Sequence, residues 1–518
     1  MTPFKPDEIS SSGVRSVGAS RWWYGVVLFL TAAGALVLEI VAGRMVAPYV
    51  GMSLYTWTAV IAVVLAGLSV GHWVGGMLAD GDRVRCARWL AGMLMLASVT
   101  AALSLVLIRV LSPFILGAGL GPLGGIVLLV FALFFLPSFF IGTVSPILTA
   151  LAVRDAPGAT GRIIGQMFAI GAVGSIAGTL AAGFLFLSWI GSIGTVLSVA
   201  AVYALLGVVF VFSARGATAA AMMVCFVAVA ALVGVTGGVA GAFDKFCLAE
   251  SDYYCVRVID SSSETGRPSA LMVLDHMGHG INDRDDPGAL HSSYVALTDE
   301  LLRRRFANDG SFSAYFIGGG AYTLPRAWLS QYPSAKVTVA EIDPMVTRVA
   351  QDRMWLTMGT GLHVIHADAR ATLRNMALTQ RFDIVVGDAF RDISIPSHLV
   401  TREFAQEVAV RLTNRGFYVL TVIDEKTDPQ FLYSTARTLS GAFETVEVWI
   451  DIEQRGDRVT YLVLAGKAAT DVARIQGDKL WFRFPDNFLA RGVEAAQVLT
   501  DDYAPVDRLM FQVLKIEP

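Results

Sequence analysis

The stretch Ala314-Tyr-Phe-Ile-Gly-Gly-Gly-Ala-Tyr-Thr-Leu-Pro-Arg326 decides how this chain is read. Residues of strand type run into three glycines, and a helical pattern opens near Leu324. A strand, a glycine turn and a helix make a cofactor loop. Glycines let the backbone approach the ligand, and the helix N-terminus favours polar or anionic groups. Glycine turns are common, so the weight comes from the strands downstream of the loop. Residues 337–340 read as the next strand and end at Glu341-Ile-Asp343-Pro344. An acid about 20 residues past the glycines is placed to bind ribose hydroxyls. The strand at 363–366 ends at Asp368-Ala369-Arg370, the strand at 382–386 ends at Gly387-Asp388-Ala389-Phe390, and 416–421 is a fifth strand. Ligands in open parallel sheets sit beyond the carboxyl ends of strands. Glu341, Asp368 and Asp388 are therefore expected to converge.

Upstream of the loop, residues 253–282 alternate like strands in Tyr254-Cys-Val-Arg-Val258 and Leu271-Met-Val-Leu274, with Asp275-His-Met-Gly278 as a turn. A helix with an apolar face runs from Tyr294 to about Phe306. The second half thus has a mixed α/β pattern of ordinary domain size.

The first half is a different material. The 518-residue chain is 54% hydrophobic and 16% charged, with a net charge of −3 and a mean hydropathy of +0.58. Only 12 of its 83 charged side chains fall in the 220 residues from Trp22 to Gly241. These values exclude a disordered chain, a disulfide-dense mini-domain and a basic nucleic-acid binder. A bilayer span takes about 20 apolar residues. The stretches 23–47, 54–79, 87–111, 124–151, 162–187, 193–213 and 218–241 read as seven spans, separated by Asp80-Gly-Asp-Arg-Val-Arg85, Ser112-Pro113, Arg154-Asp155, Gly191 and Arg215-Gly216. Gly165, Gly171, Gly174 and Gly178 read first as close helix packing. Pro137 and Pro146 predict a kinked fourth span. Glu39 and Arg44 stand inside the first span, where ionisable residues are costly. With the N-terminus inside, nine Lys and Arg (5, 15, 21, 83, 85, 88, 154, 162 and 215) face inward and two, Arg44 and Arg109, face outward. With seven spans, that orientation puts the second half outside. Cys247 and Cys255 either close a disulfide in an oxidising compartment or are two reduced residues in a strand. No metal-ligand spacing appears. The fold class expected is a multi-span α-helical membrane domain (22–241) after an N-terminal tail (1–21). A small β-region with a connecting helix follows (242–310), then a Rossmann-like, methyltransferase-type sheet (311–518).

These motifs resemble the spermidine synthase (polyamine aminopropyltransferase) family over nearly the whole second half. The matching residues are Leu274-Asp275, the helix near Tyr294, Gly318-Gly-Gly320, Glu341-Ile-Asp343, Asp368-Ala369, Asp388 and Pro396-Ser-His-Leu-Val-Thr401-Arg-Glu-Phe404. The Glu39…Arg44…Pro48-Tyr49 segment and Thr500-Asp-Asp-Tyr-Ala-Pro505 resemble the membrane-fused members. The resemblance implies an enzyme that uses S-adenosylmethionine or its decarboxylated form as substrate. It cleaves the propyl–sulfur bond, releases methylthioadenosine and needs no metal. By the same carry-over, Gly318, Gly319 and Gly320 line the sulfonium, Glu341 holds the ribose, and Asp368 with Ala369 holds the adenine. Asp388 is the catalytic base and Tyr294 orients the attacking amine. The expected partners are a small-molecule amine acceptor, a lipid bilayer and a second copy of the chain, with no nucleic acid. The expected location is the inner cell membrane, multi-pass.

The sequence departs from the family where the acceptor and donor tail bind. Ala321 stands where the family has an aspartate, Val295 replaces a polar residue after the tyrosine, and Asp392 is displaced behind Arg391. No late tyrosine is matched around 452–456. Two carboxylates 4 Å apart repel by roughly 4 kcal/mol at an effective dielectric of 20. Ala321 removes that repulsion, and Arg326 lies one turn away, so intact S-adenosylmethionine is expected to be tolerated. Methyl transfer or a lyase reaction on the same fold, and a transport or sensing protein that only binds, are the alternatives.

Overall fold

The computed structural model describes residues 13–214, 217–306, 309–391, 394–477, 479–511 and 513. Asp392 and the Arg215-Gly216 break lie outside them. The chain divides into two compact units: an apolar helical one ending at Lys245, and a second beginning at Phe246 that also takes in Ala47–Leu54.

Among the described residues of the first unit, six helices are long and apolar enough to cross a membrane. The count differs from seven because the fifth and sixth stretches share one 53-residue helical run, Thr160–Phe212. At 1.5 Å per residue such a run is about 80 Å long, more than twice a hydrocarbon core of about 30 Å. It is interrupted at Gly191, whose φ of 69° and ψ of 179° are not helical. The fourth stretch holds two helices, Gly121–Gly142 with Pro137 inside it and Val144–Arg154, which meet at Thr143. Small residues set the close contacts. Gly174 and Gly178 lie against the backbone of Phe29 and Ala33, leaving no room for a Cβ, whereas Gly165 meets nothing within 4 Å. Close packing therefore explains two of the glycines and not Gly165.

The second unit holds two sheets. The smaller is a four-stranded antiparallel meander, β1 (Ala249–Glu250), β2 (Cys255–Asp260), β3 (Ser269–Leu274) and β4 (Met277–Asp283). Cys247 and Cys255 are joined by a disulfide across its first turn, with Cα atoms 5.3 Å apart.

The larger sheet has nine strands: β5 (Ser313–Ile317), β6 (Lys336–Ala340), β7 (Leu362–Ile365), β8 (Phe382–Gly387), β9 (Leu412–Glu425), β10 (Thr445–Asp451), β11 (Arg458–Gly466), β12 (Arg474–Gln476) and β13 (Leu480–Arg483). Their order is β12-β13-β10-β11-β9-β8-β5-β6-β7. The five from β9 to β7 run parallel, and the rest add antiparallel. Parallel strands are short and apolar on both faces because helices cover both sides. In β5, Ala314 and Phe316 enter one core with Trp328 and Val339, while Tyr315 and Ile317 enter the other with Val385 and Phe404. That is the period of two expected of a strand.

The connectivity creates one special place. The chain leaves β5 for β6 and β7 on one side, then returns to lay β8 on the other side of β5. Loops after β5 and β8 diverge there and leave a crevice at the carboxyl ends.

Candidate functional site

That crevice carries the glycine loop and Asp388. Gly318 has φ +91°, and a Cβ built on it would lie 3.1 Å from the Asp388 carbonyl oxygen. Glycine is needed because the loop closes directly on the backbone that follows β8. Gly320, at φ +49°, is pressed the same way against His279 of β4, whose carbonyl oxygen would sit 3.2 Å from a Cβ there. The meander therefore forms one wall of the crevice.

The cavity measures about 90 Å³, and its lining includes Tyr254, His279, Gly318, Gly320, Glu341, Asp368, Ala369, Asp388 and His398. All three acids read from the sequence are brought together here. Gly319 is absent from the lining but takes part through its amide, which donates to Glu341 Oε2 at 2.8 Å. Tyr294 lines a neighbouring cavity instead.

Each acid has a local reason for its place. Glu341 is buried and also accepts from the Asp343 amide at 2.9 Å. Burial raises its pKa against the pull of those amides. Asp343, not Glu341, caps the next helix by accepting from Met345 N at 2.9 Å. Asp368 caps the helix Ala369–Asn375 by accepting from Ala371 N at 2.8 Å, and its other oxygen meets His398 Nε2 at 2.8 Å. Burial opposes its ionisation, but the Ala371 amide and His398 hold it below the usual carboxylate range.

Asp388 differs. Its Oδ1 is buried with no hydrogen-bond partner. Burial pushes the carboxyl up to about 6, although the Thr421 and Tyr294 side chains beside it draw it down. Burial and the Asp388 charge push the Tyr294 phenol well above its ordinary value. A carboxylate with a free oxygen and a pKa near neutrality is suited to take a proton.

The neighbouring cavity, about 190 Å³, is lined by Ser293, Tyr294, Trp449, Asp451, Gln454 and Trp481, among others. Asp451 is buried, and Trp481 Nε1 donates to Ser293 Oγ at 2.7 Å. Sequence reading missed this group, because β10 and β13 reach the helix at Ser293 only through the antiparallel tail. It missed Tyr254, His279 and His398 as well. The available signal for His279 was a polar residue held between Gly278 and Gly280.

Arg326 is corrected. Its Nε donates to Trp355 O at 3.1 Å and its Nη2 to Asp283 O at 3.2 Å, and it lines a separate cavity. The helix Thr323–Gln331 turns that side chain toward the 354–361 segment, so it is not near the glycine loop's ligand side.

No family model matches the chain. The polyamine aminopropyltransferase of Vibrio vulnificus strain CMCP6 is 26% identical over 206 residues, covering 37% of this chain and 68% of that protein. The probable polyamine aminopropyl transferase of Bifidobacterium longum strain NCC 2705 is 30% identical over 124 residues, covering 24% of this chain and 27% of that one. Among solved structures, a probable spermidine synthase from Corynebacterium glutamicum ATCC 13032 aligns with a TM-score of 0.44 at 18% identity, covering 50% of this chain and 97% of that one. By its relatives the chain is a transferase, and the crevice lies at the sheet's switch point. The α/β unit is spermidine synthase-like, and it follows a run of long apolar helices.

Proposed function

We propose that this protein is a membrane-bound aminopropyltransferase-type enzyme using S-adenosylmethionine or its decarboxylated form. The observation that carries the reading is the free, buried Asp388 Oδ1, across the crevice floor from the glycine loop. In this reading the sulfonium cofactor lies along Gly318–Gly320, with its ribose on Glu341 and its adenine against Asp368 and Ala369. The second cavity behind Tyr294 takes the amine acceptor, because two tryptophans and Asp451 in its lining suit an organic cation. The amine attacks the propyl carbon and the carbon–sulfur pair leaves on sulfur. Asp388 takes the amine proton, and methylthioadenosine is released. A sulfonium leaves readily, so positioning and proton removal are the main tasks.

The six long apolar helices support residence in the inner cell membrane as a multi-pass protein. A homodimer belongs to the same proposal. Mass spectrometry of products from purified protein tests the chemistry. Methylthioadenosine is expected; adenosylhomocysteine would show methyl transfer instead, and no product from either cofactor would leave a binding protein.

A further inference from the structure

We propose that the cavity at Arg326 is a second ligand site, which binds an oxyanion (a carboxylate or a phosphate) carried on an apolar body. The cavity shares no lining residue with the crevice, and the proposal does not depend on the donor reading above.

The space is built against the helix Thr323–Gln331 and the 354–361 segment that leads into β7. It measures about 600 Å³, within the roughly 300–1,000 Å³ of small-molecule sites. Leu329 and Trp355 give it apolar wall, Thr357 and Thr360 give it hydroxyls, and its charged residues among the described ones are Arg284 and Arg326. Arg284 is already paired, through Nε and Nη2, with Asp285 at 3.0 and 3.2 Å.

Arg326 is not. The residue is only 8% exposed. Its Nε and Nη2 donate to two neutral carbonyls, Trp355 O and Asp283 O, and its Nη1 has no partner among the described residues. The Asp283 carboxylate does not answer it by contact. Asp283 Oδ1 accepts from the amides of Asp285 and Asp286, and Oδ2 is buried with no hydrogen-bond partner. Burial therefore pulls the guanidinium below its ordinary value, opposed by the Asp283 charge acting through space. A buried cation bonded only to neutral groups is poorly compensated, and an oxyanion on Nη1 supplies the missing charge.

The backbone gives an independent sign. Trp355 holds φ +56°, a left-handed conformation in a bulky non-glycine residue. Such strain persists only where the surroundings impose it, and it collects at ligand sites. Here Arg326 Nε holds the Trp355 carbonyl, and Asn282 Nδ2 holds the carbonyl of the preceding Met354 at 3.1 Å. The strained turn keeps a half-buried tryptophan in the cavity wall.

The occupant is a bound effector rather than a substrate. Among the described residues the lining holds no Asp, Glu, His, Cys or Lys, so nothing there is equipped to take a proton or to attack. Asn282 Nδ2 also donates to Ala321 O at 2.7 Å, directly after the glycine loop. One side chain thus touches both that loop and the turn behind Arg326.

The test is titration of the full chain in detergent with phenylacetate, phenyl phosphate and the neutral phenylacetamide, followed by ligand-observed NMR. The two anions distinguish a carboxylate from a phosphate headgroup. At least one is expected to bind about tenfold tighter than the amide, a difference of about 1.4 kcal/mol. Thr357 is exposed, so Thr357→Glu should fold while placing an anion in the lining. It is expected to weaken the anions about tenfold and leave the amide unchanged. Arg326→Gln is expected to erase the preference for the anions; if it fails to fold, Thr357→Glu decides. Equal binding of the amide, no binding of any probe, or anion binding that Thr357→Glu leaves untouched overturns the proposal.

Discussion

Arg370 holds Asp501 by two parallel hydrogen bonds, Nη1 to Oδ1 at 2.7 Å and Nη2 to Oδ2 at 2.8 Å. The same guanidinium donates to Glu407 Oε1 at 2.7 Å and to His398 O at 3.1 Å. Arg370 directly follows Ala369, and His398 pairs with Asp368. The late Thr500-Asp-Asp segment is therefore tied to both chain segments that wall the crevice at Asp368 and His398. Asp501→Ala leaves a nearly buried guanidinium half-paired. Because the Asp501 side chain is itself 42% exposed, the cost is about 1–2 kcal/mol, below that of a fully buried pair. A lowered melting temperature in detergent is expected, with weaker cofactor binding. An unchanged melting temperature would mean that Glu407 and the His398 carbonyl suffice to hold Arg370.

Asp388→Asn should abolish methylthioadenosine formation while making the protein more stable. Burial holds the carboxyl at about 6 in the folded protein, against an ordinary value of 3.8. The ionised carboxylate is thus disfavoured by folding, and its cost appears above the unfolded pKa and is complete above about 6. A displacement of that size corresponds to about 3 kcal/mol at pH 8. Denaturation of both proteins at pH 8 should show the variant ahead, and that advantage should shrink toward pH 4.

The same pKa gives the pH profile. The carboxylate must be ionised to accept a proton, so kcat/KM is expected to rise with pH through about 6 and then level. A rate that falls over this range would remove Asp388 as the base.

Gly318→Ala forces a Cβ at φ +91°, 3.1 Å from the Asp388 carbonyl. Backbone strain of about 1–2 kcal/mol is expected, together with loss of cofactor binding measured by titration, since the loop must move off the crevice floor.

Alkylation followed by peptide mass mapping should find Cys247 linked to Cys255 and Cys86 labelled only after unfolding. Closing so short a loop is worth about 2–3 kcal/mol by chain entropy. Reduction should lower the stability of the meander by that order, and with it the fit of His279 against Gly320. A reporter fused after Pro518 then tells whether the domain faces the oxidising side, where such a bond persists.

Much of the fold and of the site is legible in the residues alone. Strand, glycine turn and helix are local, so 314–326 declares the loop. Each acid at a strand end is visible because the apolar run stops there. The long apolar stretches declare themselves by composition, although the break at Gly191 does not, since a single residue's backbone angles leave no hydropathy signature. Asp388 is found as a motif residue; that its Oδ1 is left unpartnered is not. The residues that line the far wall of the crevice and the second cavity stay hidden. His279 reaches the loop through a meander that pairs strands by register, and Trp449, Asp451 and Trp481 reach Tyr294 through an antiparallel tail more than 150 residues away in sequence. Arg326 sits one turn from the glycines in sequence, yet its helix points it elsewhere.

The order of amino acids thus dictates the two materials of this chain, the nucleotide-type loop and the three acids at strand ends. These follow from periodicity and backbone permissiveness within a few residues. Tertiary packing alone settles which side chains line the crevice, which oxygen is left free and which arginine is committed elsewhere. Those depend on contacts between segments far apart in the chain, where burial and charge act through space and leave no local pattern to read.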